Sequence, residues 1–144
     1  MGTLYRNFPT KDELVVAVLR DIAAEVTLAI AAAEAADDPR DGFVQMLRGM
    51  WTVVEDHRQL AGILHGYAHE RDLPEFEALK WRAERIIERA IAAGHLQAGL
   101  SAALIADCVE RQIGTYLALR ERWDAGTVRA LCERMLGGLM RTDP

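Results

Sequence analysis

From Pro74 to Ala93 the apolar residues Phe76, Leu79, Ala83, Ile86 and Ala90 recur at alternating spacings of three and four. That rhythm fits only an α-helix with one buried face. Similar spacing extends through most of the chain. Leu14, Val18, Ile22, Val26 and Ile30 predict a long helix from Thr10 to about Ala35, and Phe43, Leu47, Met50, Trp51 and Val54 one from Pro39 to about Asp56. A shorter helix is expected from about Arg58 to Glu70, weakened by Gly62 and Gly66 at roughly 1 kcal/mol each relative to alanine. Two more close the chain, about Ala102 to Trp123 and Ala125 to Arg141. Ile105, Cys108 or Val109, Gln112 and Tyr116 mark one side of the first; Val128, Leu131 or Cys132, Met135 and Leu139 mark one side of the second.

The punctuation agrees with these boundaries. Thr10 with Glu13 spells a capping box ahead of Leu14, and Asp12 and Glu13 suit the positive end of the helix dipole. Asp38 followed by Pro39 reads as an N-cap and a first-turn proline. Arg71-Asp72-Leu73-Pro74 is a stop and restart, Gly94 a terminator and Ser101 an N-cap. On the exposed side of the 74–93 helix, Glu77 with Lys80 and Arg85 with Glu88 are spaced to pair. The expected fold class is therefore all-α, a helical bundle, with no internal repeat or low-complexity tract.

A hydrophobic share of 51% in 144 residues supplies a core for one domain, and abundant alanine and leucine favour helix. No run of about eighteen apolar residues offers a membrane span, and Arg6 with the Lys11-Asp12-Glu13 cluster interrupts any signal-peptide-like run. A cytoplasmic location is the expectation. The net charge of −5 is wrong for a bulk nucleic-acid binder. Its distribution is uneven: residues 1–20 hold three basic residues against two acidic ones, while the remaining 14 basic and 20 acidic residues leave −6. Cys108 and Cys132 are far apart on apolar faces and read as reduced thiols, with a redox or intersubunit disulfide as the alternative.

The stretch from Gly2 to Leu14, Gly-Thr-Leu-Tyr-Arg-Asn-Phe-Pro-Thr-Lys-Asp-Glu-Leu, carries the most specific signal. Thr3 to Phe8 is a short amphipathic helical piece with Leu4 and Phe8 on one face, broken by Pro9. It resembles the end of the helix-turn-helix in the TetR/AcrR family of bacterial transcriptional regulators. The resemblance implies that residues 1–9 are a remnant of the DNA-binding domain, starting inside the recognition helix, with two earlier helices of that domain absent. Residues 10–144 would then be a helical effector-binding and dimerisation domain. It further implies that Thr3, Tyr5, Arg6 and Lys11 meet DNA. Lys11 sits near a helix N-terminus, where an anion is favoured, and phosphate contacts position a reader on the duplex.

The same resemblance implies a homodimer, a small-molecule effector in a cavity of the body, and operator DNA as partner of the full-length protein. Such regulators mostly repress, and are released by the effector. Met46, Leu47, Met50, Trp51, Val54, Leu64, Tyr67, Ile113 and Tyr116 are expected pocket liners. Trp81, off the Phe76–Leu79–Ala83–Ile86 stripe, is a candidate pocket wall or partner contact. Arg111 and Gln112 are the polar groups best placed to orient a ligand. The terminal hairpin is the expected dimer interface, through Cys108, Gly114, Ala118, Val128, Leu131, Cys132, Met135 and Leu139. Gly114 and the Gly137-Gly138 pair would allow close backbone approach.

Two other readings compete. One is a ligand-binding or dimerisation module without DNA binding. The other is a small helical metal protein: His65 and His69 are four apart, with Glu70 adjacent and His57 nearby, a spacing two imidazoles use to share a metal. No third ligand is assured, so no metal and no other cofactor is expected. The sequence holds no Ser-His-Asp arrangement, Gly-rich phosphate loop or diagnostic carboxylate pair, and an enzyme is not expected.

Overall fold

The computed structural model describes residues 8, 10–60, 62, 65–67 and 73–141. Five long helices follow one another: α1 (Lys11–Glu34), α2 (Pro39–Asp56), α3 (Pro74–Ala92), α4 (Ala102–Leu119) and α5 (Ala125–Gly137). Residues 62 and 65–67 are also helical, between α2 and α3. The architecture is all-α, and no described helix is long and apolar enough to cross a membrane.

Local chemistry starts each helix. The Thr10 hydroxyl accepts from the Glu13 backbone N–H at 3.2 Å while the Glu13 carboxylate accepts from the Thr10 N–H at 3.3 Å, a complete capping box. Asp38 accepts from the N–H groups of Arg40 and Asp41, with Pro39 in the first turn. Ser101 caps α4 through Leu104 N–H, and Asp124 caps α5 through Thr127 N–H at 2.8 Å. These backbone donors hold the Asp38 and Asp124 carboxyls below the usual carboxylate range. α3 starts differently: Leu73 offers no side-chain cap, and Pro74 removes one of the N–H groups that would need it.

Helix ends are set partly by distant partners. Gly94, at φ 78°, closes α3 with Gly94 N–H on the Ile91 carbonyl and His95 N–H on the Ala90 carbonyl, the paired bonds of a Schellman turn. α1 has no basic residue in its last turn. Instead Arg89 of α3 donates to the carbonyls of Glu34 and Ala36, at 3.0 and 3.1 Å. α4 stops at Leu119 rather than running to Trp123, and in the turn that follows Arg122 and Trp123 share the Leu119 carbonyl. α5 stops at Gly137 rather than Arg141. After it, Met140 bridges to Leu96, Gln97 N–H reaches the Leu139 carbonyl and Arg141 N–H the His95 carbonyl, so residues 139–141 are held by the α3–α4 turn.

α1 packs on α2 and α3, α3 on α2 and α4, and α4 on α5. The main core takes Ile30 from α1, Phe43 and Met46 from α2, Ile86 and Ile87 from α3, Ile105 from α4 and Leu136 from α5. A second cluster joins Trp51, Tyr116, Leu117, Val128 and Cys132. The α1 stripe differs from the expected one: Leu19, Ala23, Ile30 and Ala33 are buried, whereas Leu14, Val18, Ile22 and Val26 are half-buried. A strict spacing of four drifts around a helix of 3.6 residues per turn, so the expected ladder winds off the core. On α5 the buried face runs through Val128, Cys132 and Leu136, leaving Leu131 and Met135 outward.

Candidate ligand cavity

Between α1, α2, α3 and α4 lies a cavity of about 840 Å³, inside the range of roughly 300–1,000 Å³ that suits small organic ligands. α1 contributes Leu19, Ile22, Val26 and Ile30, which explains why its middle is only half covered by neighbouring helices. α2 contributes Met46, Met50, Val53 and Val54; α3 contributes Phe76, Leu79, Ala83 and Ile87; α4 contributes Val109, Ile113 and Leu117. Polar wall groups are His57, His65, Glu77, Lys80, Asp107, Glu110, Arg111 and Thr115. Among the described residues no polar or charged residue is fully buried, so these groups belong to the rim and the depth of the cavity is apolar.

Three rim features are held in place by contacts across helices. His57, the C-cap of α2, directs Nε2 at both carboxylate oxygens of Glu25 on α1, each at 3.0 Å. A carboxylate can only accept, so Nε2 carries the proton. Lys80 of α3 reaches the Asp107 carboxylate of α4 at 2.8 Å rather than pairing with Glu77 on its own helix. The hydrogen bond raises the Lys80 pKa and lowers that of Asp107. His65 lies over Gly114 of α4: a Cβ at Gly114 would fall 3.0 Å from His65 Nε2. Gly114 thus leaves room for an imidazole of the same chain.

The expected pocket residues divide. Met46, Met50, Val54, Arg111 and Ile113 are on the cavity wall. Leu47 packs on the main core. Trp51 and Tyr116 face each other edge to face at 5.2 Å within the second cluster. The Tyr116 hydroxyl donates to the Glu55 carboxylate; burial first, then that bond, pushes its pKa up. Gln112 is half-buried with no hydrogen-bond partner for Oε1, and its backbone carbonyl accepts from the Cys132 thiol at 3.8 Å. Tyr67 is half-buried in the helical residues 65–67, and Leu64 lies outside the described residues. Trp81 is 58% exposed on the outer side of α3, with the Arg85 guanidinium 5.0 Å from its ring centre. Sequence spacing did not single out Leu19, Phe76, Leu79 or Lys80 as liners, because nothing local separates a wall from a core face.

Of the residues expected at DNA, Lys11 is the exposed first residue of α1, while Thr3, Tyr5 and Arg6 lie outside the described residues. In the terminal hairpin Val128 and Cys132 are buried against Trp51 and Tyr116 within one chain, and burial raises the Cys132 pKa. Leu139 packs on the main core, Cys108 is half-buried and Ala118 borders the cavity. Leu131 and Met135 stay exposed at 52% and 54%, as does Leu104 at 50%. His69 lies outside the described residues, and among those described no three His, Cys, Asp or Glu side chains group to hold a metal.

No protein-family model matches the chain, and no curated protein matches it. The described residues define an all-helical protein with an apolar internal cavity and a polar rim.

Proposed function

We propose that the chain is the sensor body of a TetR-type, ligand-responsive DNA-binding transcriptional regulator, a homodimer that represses until a small molecule enters the cavity and releases it from its operator. The observation that carries this reading is that α1, which directly follows the Gly2–Phe8 stretch, forms one wall of the 840 Å³ cavity. α1 is tied to the other helices by Arg20–Glu75, Glu25–His57 and Glu34–Arg82 contacts. A molecule lodged between α1 and α4 therefore bears on the helix that leads to the DNA reader. Two such readers on a twofold dimer would need to sit about 34–36 Å apart to meet successive major grooves.

The effector acts only through its preference for one position of α1 over another. A tenfold loss of operator affinity requires a coupling free energy of about 1.4 kcal/mol. Selection of genomic DNA fragments by the purified chain tests the proposal. Recovery of a specific sequence, lost on adding a cavity ligand, is the expected result. A dimer that binds ligand but selects no sequence would make this a sensing or dimerisation module instead.

A further inference from the structure

We infer that the cavity takes an elongated aliphatic molecule, a saturated hydrocarbon chain with a small polar head, in preference to a planar aromatic one. This inference rests on the reading of the cavity as an effector site. Length comes from the helices that line it. Leu19 to Ile30 on α1 and Met46 to His57 at the end of α2 both border the cavity, and each run amounts to roughly 16 Å at 1.5 Å per residue. Ala106 to Ala118 on α4 amounts to roughly 18 Å. The cavity therefore lies along the helices rather than across them. An extended chain of about a dozen carbons, with bonds of about 1.5 Å, has a comparable length.

Chemistry comes from the wall. Ile30, Met46, Ile87 and Val109 are buried in it, and Ile22 and Val26 continue the same aliphatic surface on α1. Three Phe, three Trp and three Tyr occur in the chain, yet among the described residues Phe76 alone of these borders the cavity. Phe43 is sealed in the main core, Trp51 and Tyr116 pack on each other, and Trp81 and Trp123 face outward. The α2–α3 connection adds no Phe or Trp, and its Tyr67 is not on the wall. A planar aromatic ligand draws its extra affinity from stacked or edge-to-face rings, of which this wall supplies one. A flexible chain instead gains from every methylene that leaves water. The rim does not select the sign of the head group: Lys80, Arg111 and Thr115 stand beside Glu77 and Asp107, so donors and acceptors are both at hand.

Neutral probes keep head charge out of the test: 1-hexanol, 1-octanol and 1-decanol, titrated into the chain at pH 7 by calorimetry. The aromatic comparison is 2-naphthaleneethanol, an alcohol of hydrophobicity close to that of octanol. Affinity is expected to rise about threefold to fourfold per added methylene, hence roughly tenfold from each straight-chain alcohol to the next. Octanol should bind at least fivefold more tightly than 2-naphthaleneethanol. Val26→Trp, which fills the middle of the cavity, should lower decanol affinity at least tenfold with helicity unchanged by circular dichroism. Ile22→Trp, on the same half-buried wall, takes its place if Val26→Trp does not fold. The aromatic alcohol binding as tightly as octanol, or an affinity that does not climb with chain length, overturns the aliphatic class while leaving the cavity as a ligand site. Decanol affinity unmoved by the folded tryptophan variant overturns the placement of the chain along α1. If none of the four probes binds, the effector-site reading falls together with this one.

Discussion

A Cβ built on Gly49 of α2 would stand 2.6 Å from the Cβ of Ala29 on α1, so the two helices meet at a separation only glycine permits there. In isolation, alanine is the better helix former by about 1 kcal/mol. Contact decides the sign instead, because the obstacle is the short, rigid Ala29 side chain rather than the tip of a flexible one. Gly49→Ala is expected to destabilise the fold by about 1–3 kcal/mol through overpacking. Gly137→Ala is the matched control: nothing lies within 4 Å of its Cβ position, and it should be neutral or stabilising by up to about 1 kcal/mol. Urea unfolding of both variants checks the pair. Equal effects would mean that α1 and α2 do not approach as described.

The Trp51–Tyr116 pair gives a second handle. Tyr116 is fully buried and donates to Glu55, which keeps some access to water. Tyr116→Phe removes that bond without opening a large void, so its cost is expected near 1 kcal/mol. Tyr116→Ala also leaves a cavity beside Trp51 and should cost about 3–5 kcal/mol. Trp51 is 4% exposed while Trp81 and Trp123 are 58% and 65% exposed. Trp51→Phe should consequently abolish the blue-shifted emission that resists acrylamide and keep the quenchable part. Residual protected emission in that variant would place another tryptophan in the core.

Asp38 yields a pH dependence of defined sign. Its carboxyl is held down by the backbone N–H groups of Arg40 and Asp41. Because the folded value lies below the unfolded one, of about 3.9, the stabilisation is fully present above pH 3.9 or so. It is lost as pH falls through the folded value. Asparagine keeps an N-cap acceptor but cannot ionise. The stability gap between the wild-type chain and Asp38→Asn should accordingly shrink below about pH 4, as the cap carboxylate takes up its proton. Urea midpoints measured from pH 7 to 3 test this, and a gap independent of pH would remove the carboxylate from the cap.

These variants touch features of unequal legibility in the sequence. Thr10–Glu13, Asp38–Pro39, Ser101 and Gly94 could be read directly, because a cap is made by residues within about four positions of one another. The buried face of α3 could also be read, since Lys80, Arg82, Glu84, Arg85 and Glu88 fall between the apolar positions Leu79, Ala83, Ile86 and Ala90. α1 was harder: with so many alanines, the ladder through Val18 and Ile22 and the one through Leu19 and Ala23 are both apolar. Packing chose the second for the core and left Ile22 and Val26 to the cavity. On α3, Trp81 is as hydrophobic as a pocket residue, yet its ring is partnered by Arg85 four positions on, within the same helix face. The contact between His65 and Gly114, and the bridge from Leu96 to Met140, link residues more than forty apart. No local pattern encodes such a pairing.

The α4–α5 hairpin leaves Leu104, Leu131 and Met135 about half exposed while Val128, Cys132 and Leu136 satisfy the core. An amphipathic helix normally turns charge to water, so apolar side chains on the outer face of α5 suit a second protein surface. In the homodimer proposed above this face is the interface, and it is separable from the fold because Leu131 and Met135 contribute little to the chain's own core. The Leu131→Glu, Met135→Glu double variant is expected to sediment as a monomer with helicity unchanged. Cys132→Glu is expected to unfold the chain instead, since it places a charge against Trp51 and Tyr116. Sedimentation velocity and circular dichroism together distinguish the outcomes. A double variant that remains dimeric would move the interface elsewhere, and one that unfolds would show that the two side chains serve the core.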